Sequence, residues 1–199
     1  DRKFAGADTL ATSYALSQAI GKINPDIILA GRQAIDGDTA QVGPQVAEKL
    51  SLPQVTYAEE ILEINDTKVT VKRRLERGVE VVTSTLPCLI TVHATAAPCR
   101  PRHAKQVMKY KYARTVTEDT AEGANWLLSL EEYPYLKITE WGTADVGGED
   151  TSYGMAGSPT KVKKVENIVF QAKEAKKLTA SAEDIDSLIS ELLANHTIG

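Results

Sequence analysis

Cysteine is scarce in this chain: Cys88 and Cys99 are its only two among 199 residues. They make neither a disulfide framework nor a zinc ligand set, and they favour a reducing compartment. Cys88 lies in an apolar run and reads as a core thiol, whereas Cys99 beside Arg100 reads as the more exposed of the two. Two Phe and two Trp leave a core that must be mostly aliphatic. No apolar run approaches the ~18 residues of a membrane-spanning helix, so no membrane insertion is expected. The three histidines, His93, His103 and His196, are scattered and fit no metal-binding spacing. G-x-S-x-G is absent, which leaves serine-based hydrolysis without support. Both common nucleotide fingerprints, G-x-G-x-x-G and G-x-x-x-x-G-K-S/T, are also missing. Nor is there an excess of positive charge: 23 basic against 27 acidic residues give a net charge of −4. That balance argues against a general nucleic-acid binder and offers no patch for an anionic membrane surface. The chain opens at Asp1 with neither an initiator methionine nor a targeting segment. It reads as entering in mid-fold, with strands expected ahead of its first helix absent and a cytoplasmic setting implied.

What is there suffices for a medium domain with an appendage: 42% apolar residues for a core and 25% charged residues for a surface. Asp8 is a candidate N-cap for a helix whose Leu16, Ala19, Ile20 and Ile23 share one face. Asp26-Ile-Ile-Leu-Ala30 is a nearly all-apolar run, as expected of a parallel strand buried on both faces. It breaks at Gly31-Arg32-Gln33 and passes through Asp36-Gly37-Asp38-Thr39 into a predicted helix over 40–50. Pro44 is tolerated there because it falls in the first turn. Strand, small-residue loop and helix start can hold a phosphate on backbone N–H groups. Gly31, Gly37 and Gly43 would permit sharp turns and close approach, and Thr39 could cap the helix. An ordinary βα turn with a capped helix has the same pattern. Asp36 and Asp38 would repel a phosphate unless turned away, so capping and holding of backbone or ribose groups is their expected role.

Beyond Pro53 come strands at Gln54–Tyr57, Ile61–Ile64, Lys68–Lys72 and Val79–Val82, then a buried strand over 86–92. The run Lys72, Arg73, Arg74 reads as a solvated face of a hairpin. The segment 99–112 is the most basic part of the chain, with interleaved aromatics. A single-stranded nucleic-acid reading is disfavoured by the overall acidity. The stretch 142–160 holds five Gly and one Pro and reads as an extended loop with little core of its own. Ser181 and Asp184 resemble a capping box, ahead of a stripe of Ile185, Leu188, Ile189, Leu192 and Leu193.

The segment AGRQAIDGDTAQVGPQVAEKLSLPQVTY closely resembles the signature of the beta subunit of electron transfer flavoproteins. FAGADT-x-ATS near the start, the meander followed by the proline-led strand at 86, and GSPT-K-V at 157–162 follow in the same order. The resemblance implies an α/β fold: a three-layer, parallel-sheet nucleotide-binding domain of the adenine nucleotide alpha hydrolase-like kind. An antiparallel excursion and an extended C-terminal arm complete it. It divides the chain into a nucleotide-binding domain at 1–114 and an arm with a terminal helix at 115–199, which embraces an alpha subunit. The implied loop contacts are Gly31, Arg32, Asp38, Thr39, Ala40, Gln41, Val42 and Gly43, with Thr9 and Thr12 facing a pyrophosphate. The implied cofactor is FAD, held by its ADP part, or AMP as a structural element. FAD is favoured by Thr39-Ala40, by FAGADT-x-ATS and by GSPT, features of the electron-bifurcating branch that takes electrons from NADH. An acyl-CoA-type dehydrogenase would dock near Pro98–Lys109, although Pro98-Cys-Arg-Pro-Arg departs from the common P-R-Y form. Two other classes stay open on these residues: a stand-alone adenine-nucleotide module of the universal-stress type, and an ATP-pyrophosphatase-like enzyme whose Ser-Gly-Gly-x-Asp-Ser loop this chain lacks.

Overall fold

A computed structural model describes residues 1–163 and 175–198. The part of the expected arm at 164–174 lies outside the described residues. The chain forms two compact units, 1–161 and 162–199.

Asp8 starts α1 (Thr9–Ile23) by accepting the N–H groups of Leu10 and Ala11, both at 3.0 Å. Asn24, left-handed at φ 52°, ends it. The helix buries a small-residue face, Ala11, Ser13 and Ser17, and the two serine hydroxyls donate to Leu10 O and Tyr14 O. The expected apolar stripe is therefore turned away in part: Leu16 and Ile23 are exposed, and Ile20 packs against the core.

After α1 come β1 (Ile27–Gly31), α2 (Val42–Lys49), β2 (Gln54–Ile64), β3 (Lys68–Leu75), β4 (Gly78–Thr85) and β5 (Cys88–Val92). The sheet order is β1-β5-β2-β3-β4. β1, β5 and β2 run parallel, with Ile28 opposite Leu89 and Val55 opposite Ile90. β2, β3 and β4 continue antiparallel. This is a mixed α/β sheet with an antiparallel extension. The strand buried on both faces is β5: Cys88, Leu89 and Ile90 are at most 1% exposed. β1 takes the sheet edge, so Leu29 remains 63% exposed, contrary to the reading of its apolar run. Alternation along β5 divides the core. Leu89 joins Ile28, Val46 and Ala47 under the helices, while Cys88 and Ile90 join Val55, Ala58, Val69 and Val71. Gln54–Tyr57 and Ile61–Ile64, expected as separate strands, are one strand with two register shifts and a left-handed Tyr57.

Arg73 and Arg74 do more than face solvent. Arg73 donates to Thr56 O and Oγ1 at 3.0 and 2.8 Å, and Arg74 holds Glu59 with two bonds. Next come α3 (Ala104–Lys109), β6 (Arg114–Thr115), α4 (Val116–Asp119), β7 (Lys137–Ile138), which pairs with β6 in parallel, and α5 (Thr143–Val146). The stretch 142–160 is better packed than its composition suggests. Tyr153 is buried between the rings of Phe4 and Tyr14. Gly154 comes so close to the first residues that a Cβ there would lie 2.1 Å from Lys3 O.

In the second unit, α6 (Ala182–Ala194) is capped by Ser181, whose Oγ accepts the N–H of Asp184. Asp184 does not return the bond. Its carboxylate accepts from the N–H and hydroxyl of Thr179 at 2.8 and 2.6 Å. Ile185, Leu188, Ile189 and Leu193 form an exposed apolar stripe.

Candidate nucleotide site

The loop 31–41 leaves the carboxyl end of β1, where ligands of open parallel sheets bind. Arg32 N–H donates to Val92 O at 3.1 Å, seating the loop across the ends of β1 and β5. Three side chains then fix its shape. Arg32 Nη2 donates to Gln33 Oε1 at 2.8 Å. Gln33 Nε2 donates to Asp38 O at 3.0 Å and, in a very short contact, to the Asp38 carboxylate. Asp38 is thereby turned in upon the loop, and the repulsion it would offer to a phosphate is reduced.

Asp38 and Ala40 are left-handed, at φ 53° and 52°, while Thr39 between them is not. Backbone of alternating hand makes successive N–H groups converge on one concavity that suits an anion. The conformational work expected of the glycines is thus done by Asp38 and Ala40. A left-handed Ala40 cannot belong to a helix, so α2 begins at Val42 and not at residue 40. Thr39 is not its cap: Gln41 occupies that position and makes no side-chain capping bond. Among the described residues no side chain caps the first amides of α2, at the positive end of the helix. Gly43 has a packing reason of its own, since a Cβ there would lie 2.8 Å from Thr91 Cγ2 on β5.

The start of α1 differs. Its amides are taken by Asp8, whose carboxylate also accepts the N–H and hydroxyl of Thr160 at 3.1 and 2.7 Å. Ser158 Oγ accepts Asp8 N–H at 2.8 Å. Burial pushes the Asp8 carboxyl up, but the bonds from Ala11, Thr160 and Leu10 outweigh it and hold the group at about 2. The N-terminus of α1 already has its anion, and among the described residues that of α2 has none. α1 still reaches the loop through Thr9, whose hydroxyl donates to Gln41 Oε1 at 3.2 Å. Gln45 Nε2 lies 3.5 Å from the same hydroxyl. Thr12 follows one turn on and, among the described residues, makes no hydrogen bond to the loop.

Gly31, Arg32, Asp38, Thr39, Ala40, Gln41, Val42 and Gly43 thus line one edge, with Thr9 drawn in beside them. Sequence reasoning missed the Asp8–Thr160 bond because 152 positions separate its partners. It also missed Gln45, though the spacing of four from Gln41 places both toward one side of α2. Past β5, Thr95 donates to Glu59 and lies 2.9 Å from His93 Nδ1. Hydrogen bonds from Arg74 and then Thr95 lower the Glu59 carboxyl. In the basic segment, Lys109 Nζ stands 5.1 and 4.9 Å from the rings of Tyr110 and Tyr135, and Val107 and Met108 are exposed. Among the described residues no His, Cys, Asp and Glu groups gather to hold a metal, and no helix is long and apolar enough to cross a membrane. A helix start whose cap residue makes no side-chain bond and a loop of alternating hand can together receive an anionic group.

The sequence profile of the electron transfer flavoprotein domain matches residues 1–121. The chain belongs to that family. It is 39% identical over 202 residues to Protein FixA of Rhizobium leguminosarum bv. phaseoli, covering 98% of this chain and 64% of the relative. Electron transfer flavoprotein subunit beta of Clostridium acetobutylicum is 35% identical, with 98% and 62% covered. The Caffeyl-CoA reductase-Etf complex subunit CarD of Acetobacterium woodii is 38% identical, with 100% and 67% covered. The chain therefore spans about two thirds or less of the length of these curated relatives.

Proposed function

We propose that this chain is part of a beta-type subunit of an electron transfer flavoprotein, with the loop 31–43 holding the ADP part of FAD. The observation that carries this is the pairing of an uncapped α2 N-terminus with the alternating-hand loop Asp38–Ala40. Backbone N–H groups of the loop and of Val42 and Gly43 receive the phosphates. Thr39, Gln41 and Thr9 supply hydroxyl and carboxamide contacts, and Thr12 lies one turn behind. FAD when bound supplies the redox chemistry, and this chain binds and orients it. Thr39-Ala40, the Asp8–Thr12 turn and the 157–160 loop favour FAD over AMP and the bifurcating use of NADH.

Within the arm expected over 115–199, the exposed stripe of α6 is the part suited to embrace an alpha subunit, since 115–161 belongs to the first compact unit. The exposed Val107 and Met108 beside Lys105 and Lys109 suit docking of an acyl-CoA-type dehydrogenase near Pro98–Lys109. A relative named for a caffeyl-CoA reductase complex supports that class of partner.

The test is an absorption spectrum and nucleotide extraction of the full-length protein purified with its alpha subunit. Two FAD per heterodimer, reducible by NADH, is the expected result. One FAD with one AMP would assign this chain a structural nucleotide, and a flavin-free preparation would sink the reading.

A further inference from the structure

The turn at the tip of the loop carries a residue pair with a chemistry of its own. Asp36-Gly37 is the one Asp-Gly pair among the 199 residues, and no Asn-Gly pair occurs. Both residues are exposed. Among the described residues neither the Asp36 carboxylate nor the Gly37 N–H has a hydrogen-bond or ionic partner. Gly37 is not left-handed, and a Cβ built on it meets nothing within 4 Å. Neither strain nor packing therefore fixes this peptide unit. One bond closes the turn, from the Asp38 N–H to Ala34 O at 3.0 Å.

A carboxyl group followed by an unhindered amide can react with it. The Gly37 nitrogen attacks Asp36 Cγ and gives up its proton, and the carboxyl hydroxyl leaves with that proton as water. The product is a five-membered succinimide. Water then reopens the ring, and opening at the main-chain carbonyl of Asp36 routes the backbone through the side chain as an isoaspartyl residue. Water is lost and regained, no electrons move, and no co-reactant is needed. Glycine favours ring closure because it has no Cβ in the way and its backbone turns freely. We propose that Asp36-Gly37 is a site of spontaneous isoaspartyl formation, and that this conversion disables the loop for ligand binding. The converted chain has one extra main-chain carbon between Ala34 O and Asp38 N, so the bond that closes the turn is lost. Asp38 moves with it, although Gln33 grips both its main-chain oxygen and its carboxylate. The alternation of hand over Asp38–Ala40, on which the convergence of N–H groups depends, goes too. The effect on binding rests on the nucleotide reading, whereas the ring closure does not.

The test uses the full-length chain with its partner subunit, stripped of nucleotide and incubated in mildly acidic buffer with and without ADP. Isoaspartate is counted by labelling with protein L-isoaspartyl methyltransferase. It is placed with endoproteinase Asp-N, which cleaves before aspartate and not before isoaspartate. The wild type should accumulate isoaspartate at 36 and lose its capacity for ADP in step, and repair by the methyltransferase should return that capacity. Bound ADP should slow the conversion several-fold by bracing Asp38–Ala40. Gly37→Ala, whose added methyl has room, and Asp36→Glu, which would have to close a six-membered ring, should both convert several-fold more slowly. A wild type that converts no faster than these variants overturns the proposal, and so does conversion that leaves ADP binding intact. Fresh wild type that binds no ADP overturns the nucleotide reading and the effect on binding, while isoaspartate at 36 would still establish the modification site.

Discussion

Gly43 carries two demands that the sequence merges into one. Its N–H belongs to the uncapped start of α2, and its missing side chain leaves room for the Thr91 methyl, 2.8 Å from where a Cβ would stand. Backbone strain is not involved, since Gly43 is not among the left-handed residues. Gly43→Ala should therefore cost about 1–3 kcal/mol through overpacking between α2 and β5. The Thr91 hydroxyl must stay, because Oγ1 accepts the N–H of Tyr57 at 3.1 Å. Thr91→Ser removes the methyl and keeps that bond, so it should recover most of the loss in the double variant. Denaturant unfolding of the four proteins measures the coupling, and additive effects would show that the methyl contact is not the cause.

At the scale of elements, the segment after α3 gathers around one buried side chain. Arg114 is 2% exposed. It donates to Asp119 at 2.6 Å, to Tyr112 O at 3.0 Å and to Leu128 O at 2.7 Å, and its guanidinium lies 4.7 Å from the Trp126 ring. Asp119→Ala leaves the buried guanidinium its two carbonyls and only the electrostatic influence of Glu118 in place of a bonded counter-charge, which should cost about 3 kcal/mol. Hydrogen exchange should quicken over 112–128 and stay unchanged in β5, whereas uniform quickening would mean global destabilisation. Nothing in the composition of 115–130 announces this node, because it depends on backbone carbonyls brought together by folding. The elements that were legible were those whose signal is local: the Asp8 cap, the run that became β5, the hairpin of β3 and β4, and α6. β1 was misread because an apolar run does not say which strand will lie at a sheet edge. The loop was recognisable as a glycine-punctuated turn from strand to helix, but its geometry was not. Left-handed Asp38 and Ala40 have no signature that glycine does not carry better.

Over the whole of the 1–161 unit, the chain closes on itself through its first helix. Asp1 accepts from the N–H and hydroxyl of Thr143. Lys3 pairs with Asp150, Lys22 donates to Asp145 O, and the Tyr14 hydroxyl accepts the N–H of Glu149. Asp8 is the most heavily bonded of these ties, joining the start of α1 to Ser158 and Thr160, next to the Thr9 that reaches the candidate site. Its carboxyl titrates at about 2 when folded against an ordinary 3.8. A depressed folded value means stability present above the unfolded pKa and lost as pH falls from about 4 toward 2. Other lowered carboxyls, among them Glu59, Glu118 and Asp184, share the acid response of the wild type, so the informative quantity is a difference. Asp8→Asn keeps one oxygen for Leu10 and Ala11 but turns an amide toward the N–H of Thr160. It should lower stability by about 1–2 kcal/mol at pH 6, and the gap from wild type should close as pH approaches 2. Chemical unfolding of both proteins across that range decides it. A gap independent of pH would mean that the clasp works by shape alone and that the charge on Asp8 contributes nothing to holding the two ends of the unit together.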